Sequence, residues 1–148
     1  AYSVQMPNTY VIFPGFDIDK PEVEQRKLSA VPQAADALCR RIEAMEKGDF
    51  THHGSVAWLK SRIIYPWFMR HVNDTPFATT DACVGCGRCA AACPTANITI
   101  SSHKPQWHVD CLNCLACNHT CPHHAVAFGR RTRGKGQYTC PDNKSTSK

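Results

Sequence analysis

Apolar side chains at helical spacing predict one amphipathic helix in the first third of the chain. They are Val31, Leu38, Ile42 and Met45, with Ala34 and Ala35 between them. Pro21 suits the first turn of this helix, and Gly48 suits its end. Pro32 lies within the run and predicts a kink, or a fresh start capped by Ser29. Cys39 lies close to the apolar face, and we interpret it as a small buried side chain rather than a redox group.

Residues 55–72 combine large apolar side chains with basic ones and contain no acid. The apolar members are Trp58, Leu59, Ile63, Ile64, Tyr65, Trp67, Phe68 and Met69, and the basic ones are Lys60, Arg62 and Arg70. We favour an amphipathic connector over residues 51–76 that covers the C-terminal core and breaks at Pro66. The alternatives are a docking patch for a partner protein, an interfacial membrane helix and a nucleic-acid surface.

Two short alternations of apolar and polar residues predict β-strands near the C-terminus. They are Asn97-Ile98-Thr99-Ile100 and Ala125-Val126-Ala127-Phe128. The alternation places Ile98, Ile100, Val126 and Phe128 on a shared inner face. A core of this size is marginal on its own, so the region needs a further means of stabilisation.

Composition limits the class of protein. Hydrophobic residues make up 43% of the 148 residues, but no stretch approaches the roughly 20 apolar residues of a membrane span. The chain starts without the basic-then-apolar pattern of a secretory signal, and we expect a cytoplasmic protein. It begins at Ala1 rather than at Met, which indicates a processed chain or a fragment.

Eight of the ten cysteines form two blocks with the same internal spacing. The blocks are Cys83-x-x-Cys86-x-x-Cys89-x-x-x-Cys93-Pro94 and Cys111-x-x-Cys114-x-x-Cys117-x-x-x-Cys121-Pro122, at an offset of 28 residues. A disulfide framework has no reason to repeat its spacing in this way, whereas metal sites do. Three cysteines at three-residue intervals can offer thiolates to three corners of a cuboidal iron–sulfur cluster. Structural zinc, the alternative, usually takes two separated cysteine pairs. Gly85 and Gly87 permit positive φ and a close approach of the backbone to inorganic sulfide.

The spacing, with its terminal Cys-Pro, resembles that of bacterial two-cluster ferredoxins, and residues 77–129 resemble such a domain over their whole length. The resemblance implies an α+β fold with a pseudo-twofold repeat and two 4Fe–4S clusters whose fourth ligands are crossed. Cluster I would take Cys83, Cys86, Cys89 and Cys121, and cluster II would take Cys111, Cys114, Cys117 and Cys93. No histidine is then needed as a ligand, and the eight histidines are interpreted as solvated or packing residues.

The wider pattern resembles fusions in which a flavodoxin-like domain precedes the ferredoxin domain. The similar segments are residues 4–11, Asn97-Ile98, Pro105-x-Trp107, Phe128-Gly129 and Gly136-Gln137-Tyr138. The resemblance implies four parts: a C-terminal remnant of a flavodoxin-like domain or a docking helix (1–50), the connector (51–76), the ferredoxin domain (77–129) and a basic, partly disordered tail (130–148). The chain lacks the Gly/Ser/Thr-rich phosphate loop of that fold, so FMN would bind only if the rest of the domain is supplied elsewhere.

The formal net charge of +5 is concentrated at the C-terminus. The last twenty residues carry six Lys or Arg residues against one Asp, and their composition suits a nucleic-acid arm. Because thiolate-bound clusters would add negative charge, we expect this tail to wrap the cluster domain or to dock an acidic partner instead. Residues 141–148 are predicted to be disordered, and Cys140 has no assigned role.

Together these features predict an electron-transfer protein that relays single electrons between a donor and an acceptor. The alternative is an iron–sulfur subunit or fragment of a larger flavin-containing oxidoreductase. The sequence shows no Ser/His/Asp set, activated nucleophile or P-loop, so we assign no catalytic residue and expect no catalysis by the chain itself. The expected partners are redox proteins, including a flavoprotein or a missing N-terminal domain, and not nucleic acid.

Overall fold

The computed structural model describes residues 1–13, 15–72 and 77–140, and these residues form two compact units. The first unit comprises the described residues within Ala1–Asn8 and Asp19–Asp74. The second comprises those within Thr9–Ile18 and Thr75–Lys148. The predicted disorder of residues 141–148 lies outside the described residues.

The first unit is built on a single long helix, α1 (Pro21–Glu43). Pro21 occupies the first turn, where its missing N–H costs nothing, and Glu22 and Glu24 lie near the positive end of the helix dipole. Arg40 and Arg41 lie in the last turn, near the negative end of that dipole. The charged residues at both ends therefore favour the helix.

The fresh start at Pro32 and the end at Gly48 were wrong, while the kink expected as the alternative at Pro32 stays a prediction. The helix continues through Pro32, which lies on the exposed side where water can bond the carbonyl left without an intrahelical donor. Ser29 does not cap a fresh start, because its hydroxyl donates to the Arg26 carbonyl at 3.0 Å. The helix also ends at Glu43, before Gly48.

The expected burial of Cys39 was wrong as well. Cys39 is exposed, as is Arg40, whereas Leu38 is half-buried. None of the residues of α1 is fully buried, and Met45 beyond its end is 80% exposed. The apolar stripe of this helix is thus only half covered.

The start of the chain lies beside residues 48–52. Tyr2 and Phe50 form an isolated parallel bridge, and their rings stack with centroids 5.5 Å apart. The Arg41 guanidinium lies over the Phe50 ring, 4.1 Å from its centroid. Asp19 holds the far end of residues 1–8. Its carboxylate accepts hydrogen bonds from the Asn8 N–H at 2.8 Å and from Lys27 Nζ at 2.6 Å.

A second helical run follows, composed of α2 (Ala57–Leu59), a π-helical turn (Lys60–Ile64) and α3 (Tyr65–Val72). The break predicted at Pro66 is absent. A proline ring clashes with the carbonyl four residues earlier in an α-helix, and the wider π-helical turn before Pro66 makes room for it. Several large side chains of this run are exposed, among them Trp58 at 69% and Trp67 at 52%.

The second unit contains two small antiparallel sheets and two short helices. Strand β1 (Phe77–Thr79) pairs with β4 (Val126–Phe128), so that Phe77 lies opposite Phe128. Strand β2 (Ile98–Ser101) pairs with β3 (Lys104–Trp107), so that Ile98 lies opposite Trp107. Helices α4 (Arg88–Ala91) and α5 (Ala116–His119) pack against each other. This mixture is consistent with the predicted α+β class.

The 28-residue repeat of the sequence is also a repeat of backbone structure. Helix α4 corresponds to α5, and strand β2 corresponds to β4, at that offset. Left-handed residues recur in the same way: Gly85 with Asn113, Gly87 with Leu115, and Ala96 with His124, all with φ between 50° and 78°.

Aromatic rings form the centre of the second unit. Phe77 meets Phe128 edge to face at 4.8 Å and stacks with Trp107 at 5.8 Å. The expected inner face was only partly right, since Ile98, Val126 and Phe128 are buried but Ile100 is 41% exposed. Ala127 is buried as well, so strand β4 is covered on both faces. The alternation of residues along this strand therefore does not show which side chains face the core.

Residues 9–18 and the basic segment after β4 complete this unit. Val11 and Ile12 are fully buried, and Lys135 Nζ donates to the carbonyls of Val11 and Phe13, the latter at 2.7 Å. The Gly136 N–H donates to Asp17 Oδ1 at 2.9 Å. Part of the basic tail is therefore folded into the C-terminal unit.

Candidate metal centre

The two cysteine blocks line two separate cavities of the second unit. Cavity I has about 330 Å³ of space, part of it open to solvent, and its cysteines are Cys83, Cys86, Cys89 and Cys121. Cavity II has about 320 Å³, and its cysteines are Cys93, Cys111, Cys114 and Cys117. Each cavity receives three cysteines from one block and the last cysteine of the other block. These two sets are those that the sequence predicts for clusters I and II.

The loops can present three thiols each because their backbones turn left-handed at two points. Gly85 (φ +70°) lies so close to the His103 carbonyl that an added Cβ would be 2.5 Å from its oxygen. The second loop reaches the same shape without glycine, through Asn113 (φ 52°) and the buried Leu115 (φ 62°). A left-handed leucine is strained, so the surrounding packing must hold it in place.

Backbone N–H groups point at the sulfur atoms that end each block. The Asn97 N–H donates to Cys93 Sγ, and the Ala125 N–H donates to Cys121 Sγ, both at 3.3 Å and both four residues on. The Asn113 N–H donates to Cys111 Sγ at 3.4 Å. Such donors favour the thiolate over the thiol, which is the form that binds metal.

The thiols differ in their environment. Burial raises the pKa of the Cys117 thiol to about 12, and it raises the pKa of Cys89 as well. Burial also opposes ionisation of Cys93, but hydrogen bonds from the Thr95 hydroxyl and nearby backbone N–H groups outweigh it and lower the pKa of that thiol. Metal binding at Cys117 and Cys89 must therefore displace protons.

The residues present fit an iron–sulfur cluster in each cavity. Four cysteine thiols face each space, and N–H groups donate to sulfur at Cys93, Cys111 and Cys121. Thiolates are the ligands that such clusters take in proteins. In the described part of the chain, no three His, Cys, Asp or Glu side chains group closely enough to hold one metal ion.

Sequence reasoning missed one group at cavity II, the buried Nε1 of Trp107. An indole N–H in a strand gives no sequence signal for a metal site. His119 is buried and fits the packing interpretation, since its Nε2 lies 2.7 Å from the Thr9 carbonyl oxygen and its Nδ1 accepts from the Tyr138 N–H at 3.2 Å. His123 lines cavity I. Cys39 and Cys140 are exposed and line neither cavity.

A family comparison matches the segment that contains these cysteines. Residues 82–125 match the family model described as a 4Fe-4S dicluster domain. The match contains all eight repeated cysteines, and it supports a ferredoxin-type dicluster domain and an iron–sulfur electron-transfer role. No curated protein matches the chain, and no solved structure matches it either. Among the described residues, none of the helices has both the length and the apolar character needed to cross a membrane.

Proposed function

We propose that the chain carries two 4Fe–4S clusters, one in each cavity, and relays single electrons between a donor and an acceptor. Cluster I is held by Cys83, Cys86, Cys89 and Cys121. Cluster II is held by Cys93, Cys111, Cys114 and Cys117. When bound, the clusters supply the one-electron chemistry, and the protein sets their potential, surroundings and access.

One observation carries this proposal. Four of the repeated cysteines line each of the two cavities. The last cysteine of each block lines the cavity of the other block. A set of thiols meant for unrelated purposes has no reason to divide in this way. The 28-residue repeat in backbone conformation supports the same interpretation, because it builds two equivalent sites from one design.

The chain contributes a dry inner side and an accessible outer side to each site. Leu115 and Ile98 are buried at cavity II, and Val126 is buried at cavity I. In contrast, Cys86 at cavity I and Cys111 and Cys114 at cavity II are exposed. Electrons can enter and leave through these exposed edges, so each site has a face for a redox partner.

Metal and sulfide analysis tests the proposal directly. Protein purified without oxygen should contain about eight iron and eight sulfide atoms per chain, and dithionite should bleach its visible absorbance. About two zinc ions per chain with no sulfide would contradict the proposal, since a zinc-stapled interaction module would then be the better account.

The alternative function is an iron–sulfur part of a larger flavin-containing oxidoreductase. The observation in its favour is the first unit, where a parallel bridge joins Tyr2 to Phe50 beside a helix whose apolar stripe is half exposed. Such a unit suits the end of an α/β domain completed by other sequence. Copurification of a flavoprotein, or FMN binding once the missing part is supplied, would favour this alternative over a free carrier. The cytoplasmic location of the protein stays a prediction.

A further inference from the structure

The two cavities are matched at most of their lining positions, and Trp107 is among the exceptions. Residues at the 28-residue offset line equivalent places, for example Phe77 in cavity II and Pro105 in cavity I. Trp107 breaks this rule, because it lines cavity II while neither Thr79 nor Lys135, its counterparts at that offset, lines cavity I. The indole is thus a feature of one site only.

The indole nitrogen is a buried donor without an acceptor. Trp107 Nε1 is inaccessible to solvent and has no hydrogen-bond partner among the described residues. A buried donor left without an acceptor is unfavourable. The ring cannot turn away easily, because it stacks on Phe77 with an interplanar angle of 19° and belongs to strand β3, opposite Ile98.

The hydrogen-bond acceptors that cavity II can offer this donor are sulfur atoms. Trp107 and Cys117 both line cavity II, together with Cys93, Cys111 and Cys114. The Trp107 side chain thus lies in the wall of a cavity lined by four thiols, and its buried N–H has no hydrogen-bond partner among the described residues. A cluster bound in the cavity brings further sulfur acceptors.

We propose that the Trp107 indole N–H donates to a sulfur atom of the cluster in cavity II and raises the reduction potential of this cluster. The inference rests on the proposed function. Reduction adds one electron, and the more negative reduced cluster is a better hydrogen-bond acceptor than the oxidised one. A fixed donor therefore stabilises the reduced state more. Trp107 is a tuning residue that makes the two sites inequivalent.

The test compares the reduction potentials of both clusters in holoprotein carrying Trp107→Phe. The phenyl ring keeps the stack on Phe77 and removes only the N–H and part of the ring. The potential of the cavity II cluster should fall, and that of the cavity I cluster should stay the same. Cys111→Ser changes a cysteine of cavity II only, so the electron paramagnetic resonance signal that it alters belongs to the cluster in that cavity. Trp58→Phe/Trp67→Phe, which changes two tryptophans that line neither cavity, is the matched control and should leave both potentials unchanged.

Two results would overturn the inference while leaving the proposed function intact. They are unchanged potentials in Trp107→Phe, and equal shifts at both clusters. If Trp107→Phe fails to retain clusters, the Trp58→Phe/Trp67→Phe protein can be labelled with ¹⁵N in its one remaining indole. Electron–nuclear double resonance of the reduced form should then detect this nitrogen and its exchangeable proton, and their absence overturns the inference. Protein without iron and sulfide would instead overturn the proposed function itself.

Discussion

Left-handed residues determine where the thiols of each cysteine loop point. Gly85 and Gly87 do this in the first loop at little cost, because glycine lacks a Cβ. Leu115 takes the same conformation while buried, and its packing under cavity II compensates for the strain. The two loops thus reach one geometry by different means.

Gly85→Ala should destabilise the site at cavity I more than Gly87→Ala does. Both glycines have positive φ, so both variants bear a strain of about 1–2 kcal/mol. At Gly85 the new Cβ also meets the His103 carbonyl oxygen at 2.5 Å, whereas at Gly87 it meets nothing within 4 Å. We expect Gly85→Ala to lose iron faster under a chelator. Equal rates of iron loss in the two variants would show that the His103 contact is unimportant.

Sequence reasoning named candidate ligands, which stay a prediction, but it did not reveal their surroundings. Cysteine spacing is a local signal, and the grouping that it implied corresponds to the lining of the two cavities. The left-handed Leu115 could not be predicted, because leucine rarely adopts that conformation and only tertiary packing holds it there. The position of the Trp107 N–H depends likewise on strand pairing between β2 and β3, which spacing does not reveal.

At the level of elements, the repeat joins two halves that depend on each other. Each half supplies one loop, one short helix and one strand, and each lends its last cysteine to the cavity of the other half. Each half has four cysteines, but only three of them line the cavity beside its own loop.

Paired cysteine substitutions can test the exchange of ligands. Cys93→Ala should remove about half of the iron, because one cluster loses a ligand. Adding Cys114→Ala should remove little more, since both cysteines line cavity II, whereas adding Cys86→Ala should remove most of the remainder. Cys39→Ala, at an exposed cysteine outside both cavities, is the control. The reverse pattern of losses would contradict the crossed assignment.

The helices of the first unit show where element prediction fails. A fresh helix start was one expectation at Pro32, and a break was expected at Pro66. Both prolines instead lie within helices, one on an exposed face and one after a π-helical turn. Propensity describes the cost of a proline, but it does not say whether the local geometry can absorb that cost.

Asp19 makes the attachment of residues 1–8 depend on pH. The hydrogen bond from Lys27 and that from the Asn8 N–H lower the pKa of this carboxyl below its ordinary value of 3.8. Its contribution is present above about pH 4 and is lost as the pH falls through the lowered pKa. Asp19→Ala should therefore raise the exchange rate of the Asn8 amide about fivefold at neutral pH, for a loss of about 1 kcal/mol.

Asp36→Ala removes the same charge from the exposed side of α1 and serves as the control for Asp19→Ala. Hydrogen exchange measured by nuclear magnetic resonance follows the Asn8 amide in both variants. An equal rise in the two variants would mean that general charge, and not the Asp19 contacts, holds this segment.

At the level of the whole chain, the second unit is discontinuous in sequence. It brings residues 9–18 together with residues 77–140, and Lys135 joins the two through the carbonyls of Val11 and Phe13. Composition indicated a basic tail but not its contacts, since a lysine bonded to backbone carbonyls has no pattern in sequence. The tail is thus partly structural.

Lys135→Met should lower the free energy of unfolding of the second unit by about 1–3 kcal/mol, because two carbonyls lose a charged donor. Arg133→Met removes an equal charge at an exposed position and should change it little. Denaturant unfolding of both holoproteins, followed by cluster absorbance, measures the difference. Equal effects of the two substitutions would point to net charge rather than to the Lys135 contacts.

The exchanged cysteines also set an order for assembly during synthesis. The four thiols of cavity II have all been made once residue 117 leaves the ribosome, whereas cavity I still waits for Cys121. Under the proposed ligation, the later block can therefore complete its cluster first, although the three leading thiols of cavity I were made earlier. Cys121 then closes the first site last, and a chain cut short before that residue carries one complete site and one open set of three thiols.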